Sequence, residues 1–295
     1  GVWNLGTHFR KQKESVVTWP NTGYSIDYLV VAGGGGSRCY SDTSAGGGAG
    51  GYRASGYGPS PLQGTALQLF PGPYTIQVGA GGAKGSQGEP SIFGVGLVEN
   101  ATMITSTGGG PADVPRAGGS GAGECGAGNT PPTDPPQGNP GGGSNGGGGG
   151  ALGAGATRPA PHTGGVGGVG APNTINACGT PFSRTVFAGG GAGGGDAPGG
   201  ATQPNNPGGA PGGGGLGGSR DNDTSTDGTA NSGGGAGGQG ANLGGQSGGS
   251  GVVIIRGPSA VAFAVAPCTN ATAAHPGGDK LASFTVDGTL TISDA

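Results

Sequence analysis

The chain contains few of the side chains from which globular proteins build a core. Leu, Ile, Val and Phe together account for 43 of its 295 residues, which is below the level expected for an ordinary hydrophobic core. Charge is scarce as well, at 9% of residues with a net charge of −3. Disordered chains usually combine low hydrophobicity with high net charge. Because only the first property is present, composition alone leaves order and disorder open.

Basic clusters, metal-ligand spacings and long apolar runs are also missing. Apart from Arg10, Lys11 and Lys13, the basic residues are scattered singly, so no nucleic acid partner is expected. The sequence has no CxxC pair and no helically spaced pair of histidines, which argues against a zinc site. No apolar run approaches the length of a membrane helix, so no membrane span is predicted.

Catalytic signatures are equally weak. Gly46, Gly48 and Gly51 match a GxGxxG motif, but at this glycine content the match carries no information without a βαβ context. Asp221 and Asp223 are of the residue type that binds calcium, yet a solvated polar loop is the more common role for such a pair. The sequence therefore predicts a protein that is not an enzyme and has no cofactor or metal site.

Two sets of residues remain undecided at this stage. The cysteines lie tens of residues apart, which is compatible with long-range disulfides and with free thiols; they are Cys39, Cys125, Cys178 and Cys268. Three Asn-x-Ser/Thr sequons are candidate glycosylation sites only if the chain is secreted; they begin at Asn100, Asn222 and Asn270. The chain starts at Gly1, which also leaves open whether residues precede it.

Glycine dominates what is present, with 81 Gly and 24 Pro residues. This content excludes a helical protein, because each interior Gly costs about 1 kcal/mol relative to Ala. Collagen is excluded because no strict Gly-x-y repeat persists. The glycines are concentrated between residues 108 and 250, whereas β-branched and aromatic residues are concentrated on both sides of that region.

Strand signals, namely β-branched and aromatic segments bounded by Gly or Pro, therefore frame the glycine-rich region. The predicted strands are residues 26–31, 65–69, 74–78, 102–105, 252–256, 260–265, 281–286 and 289–292. Asp287 and Gly288 separate the last two segments and predict a hairpin with a type I′ turn.

The glycine-rich region has two interpretations: a flexible linker, or an ordered bundle of polyglycine II helices. We predict the second, because strong strands frame the region and long structureless loops are uncommon within a domain. The predicted fold is all-β, an antiparallel β-framework with an inserted bundle of polyglycine II helices; the resemblance given below implies that the framework is a β-sandwich. The predicted division is an N-terminal lead-in or attachment segment (1–24), a glycine-rich domain (25–258) and a C-terminal β-hairpin module (259–295). Within that domain, strands in 25–107 and 251–256 frame the polyglycine II bundle, residues 108–250.

Several landmarks occur in a fixed order along the chain. They are DYLVVAGGGG at 27–36, GGGAGGYR at 46–53, YTIQVGAGG at 74–82, GEPSIF at 88–93 and GVVIIR at 251–256. In this order they resemble the glycine-rich domain of bacteriophage tail-fibre and virion structural proteins, especially in phages of cyanobacteria. A related module in the ectodomains of anaplastic lymphoma kinase-type receptors implies a β-sandwich with inserted polyglycine II helices.

The resemblance implies a phage virion protein located at the virion surface, outside cells: an exposed fibre, tip or decoration protein. It also implies a homo-oligomer, with a trimer favoured, that attaches to other virion proteins through the N-terminal segment bearing Trp3 and Trp19. Host-surface glycans or proteins are the expected further partners. Tyr40, Tyr52 and Tyr57 are candidate contacts in exposed loops; their alternative role is to pack on the glycine lattice as lids. The alternative function is a non-viral extracellular matrix or filament subunit.

Overall fold

The computed structural model describes most of the chain. The described residues are 23–37, 45–96, 104–114, 116–176, 183–195, 210–219, 224–240 and 244–295. Several predictions fall outside these ranges; they concern Trp3, Trp19, Cys39, Tyr40, Asn100, Cys178 and Asn222.

Apart from one 3-10 turn at Ser60–Leu62, the regular structure of the described residues consists of β-strands. In the first part of the chain these are β1 Tyr24–Val31, β2 Tyr52–Ala54, β3 Leu67–Leu69, β4 Gly72–Gln77, β5 Ser91–Gly96, β6 Ile104–Ser106, β7 Ala171–Pro172 and β8 Val186–Phe187. The remainder are β9 Val252–Gly257, β10 Val261–Ala266, β11 Ala271–Ala274, β12 Lys280–Phe284 and β13 Gly288–Asp294.

The strands form two main sheets and one short ladder. The six-stranded sheet has the order β11-β12-β9-β1-β2, with β3 also pairing with β1. The five-stranded sheet has the order β10-β13-β4-β5-β6, and β7 pairs with β8. Every one of these ladders is antiparallel. The prediction of an all-β protein with antiparallel sheets is therefore confirmed.

The predicted hairpin between residues 281–286 and 289–292 is wrong, because its two strands lie in different sheets. β12 pairs with β9 and β11, whereas β13 pairs with β4 and β10. The physical reason is shared burial: Phe284 and Leu290 belong to one hydrophobic cluster to which both sheets contribute. The chain therefore crosses between the sheets at Asp287. Residues 259–295 contribute strands to both sheets instead of pairing only among themselves.

Two hydrophobic clusters cover opposite faces of the six-stranded sheet. The first contains Val30 and Ile255 from that sheet together with Ile76 from the five-stranded sheet, all fully buried. The second contains Val31 and Ile254, which are packed with side chains of β2, β8 and the glycine-rich region. Successive strand residues point to opposite faces, so neighbours such as Val30 and Val31 enter different clusters. The six-stranded sheet is thus buried on both sides.

Three strands of the six-stranded sheet run into glycine-rich segments at the same end. Val31 lies opposite both Tyr52 and Val252 in the ladder, and beyond this level the chain continues into glycine on all three strands. These continuations are residues 32–37, 46–51 and 245–251. The glycine-rich region is therefore built directly onto the strand ends.

The backbone hydrogen bonds of residues 46–51 repeat every three residues. All six N–H groups donate to carbonyls of other segments, and residues three apart donate to the same neighbour. Gly46 and Ala49 donate to the segment 146–149, Gly47 and Gly50 to 233–236, and Gly48 and Gly51 to 107–110. The carbonyls of 46–51 accept from three further segments, at 32–35, 120–123 and Gly191. One segment therefore has six hydrogen-bonded neighbours, which no β-strand has.

Residues 32–37 show the same three-residue repeat. Their N–H groups donate in turn to the segments 48–51, 86–89 and 246–249, and then to the same three again in the same order. The donor–acceptor distances in this segment are 2.8–3.1 Å, within the normal range for N–H···O bonds.

Close backbone approach is what makes glycine necessary in these segments. A Cβ added at Gly47 would collide with the carbonyl of Gly35, and one added at Gly148 would collide with the carbonyl of Gly47. The obstructing atoms are backbone atoms, which cannot rotate away. Ala49, by contrast, places its methyl group in the second hydrophobic cluster, where there is room for it.

We expect Gly47→Ala to destabilise the protein by about 3 kcal/mol, the upper end of the usual cost of overpacking. The matched control is Gly56→Ala, because a Cβ at Gly56 meets nothing closer than 3.8 Å. Urea unfolding of both variants and the wild type measures the difference. Equal stability of the two variants would contradict close backbone packing at Gly47.

Candidate functional site

Tyr52 occupies the junction between the six-stranded sheet and the glycine-rich region. Its side chain is only 1% exposed and belongs to the second hydrophobic cluster. The phenol oxygen accepts a hydrogen bond from Nδ2 of Asn173 at 2.7 Å and donates to the carbonyl of Pro172 at 3.3 Å. The prediction that Tyr52 lies in an exposed loop is wrong, because its strand pairs with β1 and turns the ring inward. The contacts agree with the alternative role of a lid on the glycine-rich segments.

Burial raises the pKa of Tyr52 to about 12, although the hydrogen bond from Asn173 favours the ionised form. Asn173 is itself held in place, because its Oδ1 accepts a hydrogen bond from the N–H of Ile175 at 2.8 Å. The Tyr52–Asn173 pair thus joins strand β2 to the chain that follows β7.

Tyr57 is the other described tyrosine among the predicted contacts, and it is half-buried. Its backbone has a φ of 65°, in the left-handed region that few non-glycine residues adopt. The guanidinium carbon of Arg256 lies 4.6 Å from the ring centroid, a cation–π arrangement. Burial raises the pKa of Tyr57, and the charge of Arg256 opposes that rise. One face of the ring is therefore covered by Arg256.

Arg256 organises a polar group that we call the Tyr57 cluster: Tyr57, Arg256, His275 and Asp279. Its Nε and Nη2 lie 2.9 and 2.8 Å from Oδ2 of Asp279, and Nη2 lies 3.5 Å from Nδ1 of His275. Nδ1 of His275 also accepts from the N–H of Gly277 at 3.1 Å. The guanidinium is thus anchored from the chain between β11 and β12.

The Tyr57 cluster combines an aromatic ring, a guanidinium, a carboxylate and an imidazole near the C-terminal end of strand β9. Asp27 adds a further carboxylate, since it lies opposite Arg256 in the ladder and accepts from Oγ of Ser55 at 2.7 Å. These groups can stack against a sugar ring and accept hydrogen bonds from its hydroxyls. The sequence predicted Tyr57 as a candidate contact but gave no sign of Arg256, His275 and Asp279, which are more than 190 residues away along the chain.

The remaining candidate residues have simpler environments. Cys125 and Cys268 are free and exposed. Asn270 is 4% exposed, and its Oδ1 accepts from the N–H of Thr285 at 3.1 Å. This side chain is therefore engaged inside the fold and is not presented for glycosylation.

The described residues contain neither a metal-binding cluster nor a membrane-length helix. No group of three or more His, Cys, Asp or Glu side chains within them is arranged to hold a metal ion. In the same ranges, no helix has the length and apolar character needed to cross a membrane.

The raised pKa of Tyr52 predicts a pH-dependent stability. The pKa in the folded protein lies above the ordinary value of 10.0. The stability that the neutral, buried phenol contributes is therefore fully present below pH 10 and is lost as the pH rises towards 12. We expect the wild type to lose up to about 2 kcal/mol more than Tyr52→Phe over this interval. Urea unfolding between pH 9 and 12 measures both profiles, and parallel profiles would contradict the burial of an ionisable phenol.

A family model described as a glycine-rich domain matches residues 11–258. The matched range includes the three strand continuations into glycine and ends one residue after β9. No curated protein shows a significant match to the chain. Because the family model covers well over half of the sequence, the chain belongs to the glycine-rich domain family.

Proposed function

We propose that the glycine-rich segments form a lattice of polyglycine II helices. The polyglycine II geometry has three residues per turn and no internal hydrogen bonds, so each turn offers three donors in three directions. The three-residue repeat of donors in residues 46–51 and the six neighbours of that segment support this geometry. None of the glycines in residues 46–51 has a φ in the left-handed region, which agrees with the φ near −75° of a polyglycine II helix.

The two main sheets, in this proposal, form a β-sandwich on which the lattice is mounted. The first hydrophobic cluster supports a sandwich, because it takes side chains from both sheets. The second cluster supports the mounting, because Leu29 and Val31 of β1 are packed with Ala151 and Phe187 from the glycine-rich region.

Amide hydrogen exchange tests the lattice. All six amides of residues 46–51 donate hydrogen bonds, so we expect uniform protection there. In residues 165–169, Gly165 and Gly168 donate, whereas Val166 and Val169 donate to no acceptor in the described chain and are about half exposed. We expect slow exchange at the two glycines and fast exchange at the two valines. Exchange alternating every two residues would contradict the polyglycine II geometry.

We further propose that this scaffold serves a phage virion as an exposed fibre, tip or decoration protein. The observation that carries the proposal is the three-residue hydrogen-bond repeat, since a lattice held by backbone groups leaves connecting loops free to vary. Binding residues are commonly placed on loops that a rigid scaffold positions. The ordered landmarks from residue 27 to residue 256, which resemble phage glycine-rich domains, support the assignment to a virion.

Host-surface glycans are the proposed ligands, and the Tyr57 cluster is the proposed contact among the described tyrosines. The ring is half-buried between Arg256 and the second hydrophobic cluster, so its exposed part would meet a ligand, and nearby carboxylates offer hydrogen-bond acceptors. A homo-oligomer would present several such sites, so weak binding at each would gain avidity. The N-terminal segment with Trp3 and Trp19 is the proposed attachment to other virion proteins.

Mass spectrometry of purified particles tests the virion assignment. We expect the chain to copurify with a major capsid protein in a fixed ratio. Recovery of a homopolymer without capsid protein would overturn the assignment and support the alternative, a non-viral extracellular matrix or filament subunit.

A further inference from the structure

A pocket lies beside strand β8, and its lining residues are distinct from those of the Tyr57 cluster. Its volume is about 360 Å³, within the range in which small-molecule sites begin. The lining residues are Ser183, Arg184, Thr185, Val186, Pro211 and Gly212. We call it the Arg184 pocket.

The walls of the Arg184 pocket are fixed to the surrounding backbone. Val186 pairs with Pro172 in the β7–β8 ladder, and the carbonyl of Thr185 accepts from the N–H of Asn173 at 2.8 Å. On the opposite wall, the carbonyl of Pro211 accepts from Gly170 at 2.9 Å and that of Gly212 accepts from Gly189 at 3.1 Å. A ligand would therefore meet a preformed surface, which lowers the ordering cost of binding.

Arg184 has no hydrogen-bond partner or ion pair within the described chain. Its Nε is buried and unsatisfied. Arg256 and Arg116, in contrast, form ion pairs with Asp279 and Glu124. Desolvation lowers the pKa of Arg184, and no charge among the described residues opposes this effect. A partly buried cation without a partner lowers the stability of the fold. An anion that entered the pocket and paired with Arg184 would offset this loss.

The other residues that line the pocket indicate which class of anion it would bind. The guanidinium fork binds planar or tetrahedral oxyanions through paired hydrogen bonds. Ser183 and Thr185 add exposed hydroxyls, whereas Val186 and Pro211 add an apolar wall. Hydroxyls and an apolar wall suit the hydroxyl groups and the C–H face of a sugar ring, and the pocket has room for more than a free inorganic ion.

We propose that the Arg184 pocket binds the carboxylate or sulfate group of an acidic saccharide. This inference rests on the proposed function as a glycan-binding surface protein, and it names the chemical class of one ligand. The Arg184 guanidinium holds the oxyanion, and the neighbouring hydroxyls and apolar wall hold the ring.

Titration calorimetry with three oligosaccharides of equal length tests the proposal: one containing glucuronate, one sulfated and one neutral. We expect binding of at least one acidic probe, and binding of the neutral probe at least tenfold weaker. The acidic probe that binds more tightly identifies the oxyanion. Equal affinity for acidic and neutral probes, or binding of none of them, would overturn the inference.

Variants of Arg184 separate a binding role from a structural one. Arg184→Gln should weaken binding of the acidic probe at least tenfold, and Arg184→Lys should give an intermediate affinity because it keeps the charge without the fork. The matched control, Arg158→Gln, should bind as the wild type does, since Arg158 lies outside the pocket lining. Unfolding midpoints measured without ligand should be unchanged or higher for Arg184→Gln; a large fall would indicate a structural role and contradict the proposal.

The two proposals fail in distinguishable ways. If the protein copurifies with capsid but does not bind acidic saccharides selectively, the Arg184 site is refuted and the virion role stands. If the protein forms a homopolymer without capsid but still binds acidic saccharides through Arg184, the site is supported and the virion role is refuted.

Discussion

Hydrogen bonds between backbone groups of separate glycine-rich segments are the interaction on which the rest of this molecule depends. They form because segments approach more closely than a methyl group permits, as at Gly47 and Gly35. A buried hydrogen bond contributes only about 1 kcal/mol net, but an unpaired buried group costs as much or more. Each interior segment is therefore stable only when its neighbours are all present. Glycine takes the place that apolar side chains hold in most cores, and so a chain poor in such side chains can still be packed.

The sheets provide what the glycine segments lack, namely side chains that fix position. The six-stranded sheet is buried on both faces, and its second cluster holds the glycine-rich region against Leu29, Val31 and Ile254. Tyr52 strengthens this junction by accepting a hydrogen bond from Asn173, which lies 121 residues further along the sequence. The apolar residues are few, but they are concentrated where backbone bonding alone would leave the register undefined.

The strands with runs of β-branched residues were predictable from sequence, because such runs at 26–31 and 252–256 are unambiguous. Short strands such as β2 and β7 were not predictable, because a segment of three or fewer residues is too short to show the two-residue alternation of a strand. The hairpin failed because Asp287-Gly288 is a local signal, whereas pairing was decided by the core that Phe284 and Leu290 share. Tyr57 was predicted as a candidate contact from its residue type alone. Its partnership with Arg256 depends on where the chain after β11 packs, and no local pattern encodes that.

The passage of three strands into glycine at one end of the six-stranded sheet has a mechanical consequence. None of the strands β1, β2 and β9 turns at the level of Val31, Tyr52 and Val252. Each continues into a glycine-rich segment whose backbone groups form hydrogen bonds with neighbouring segments. A pull along the strands would load the bonds of both regions in shear, so many would have to break together. Tension applied across the strands would instead break them one after another. We therefore expect this junction to resist tension along the strands better than tension across them.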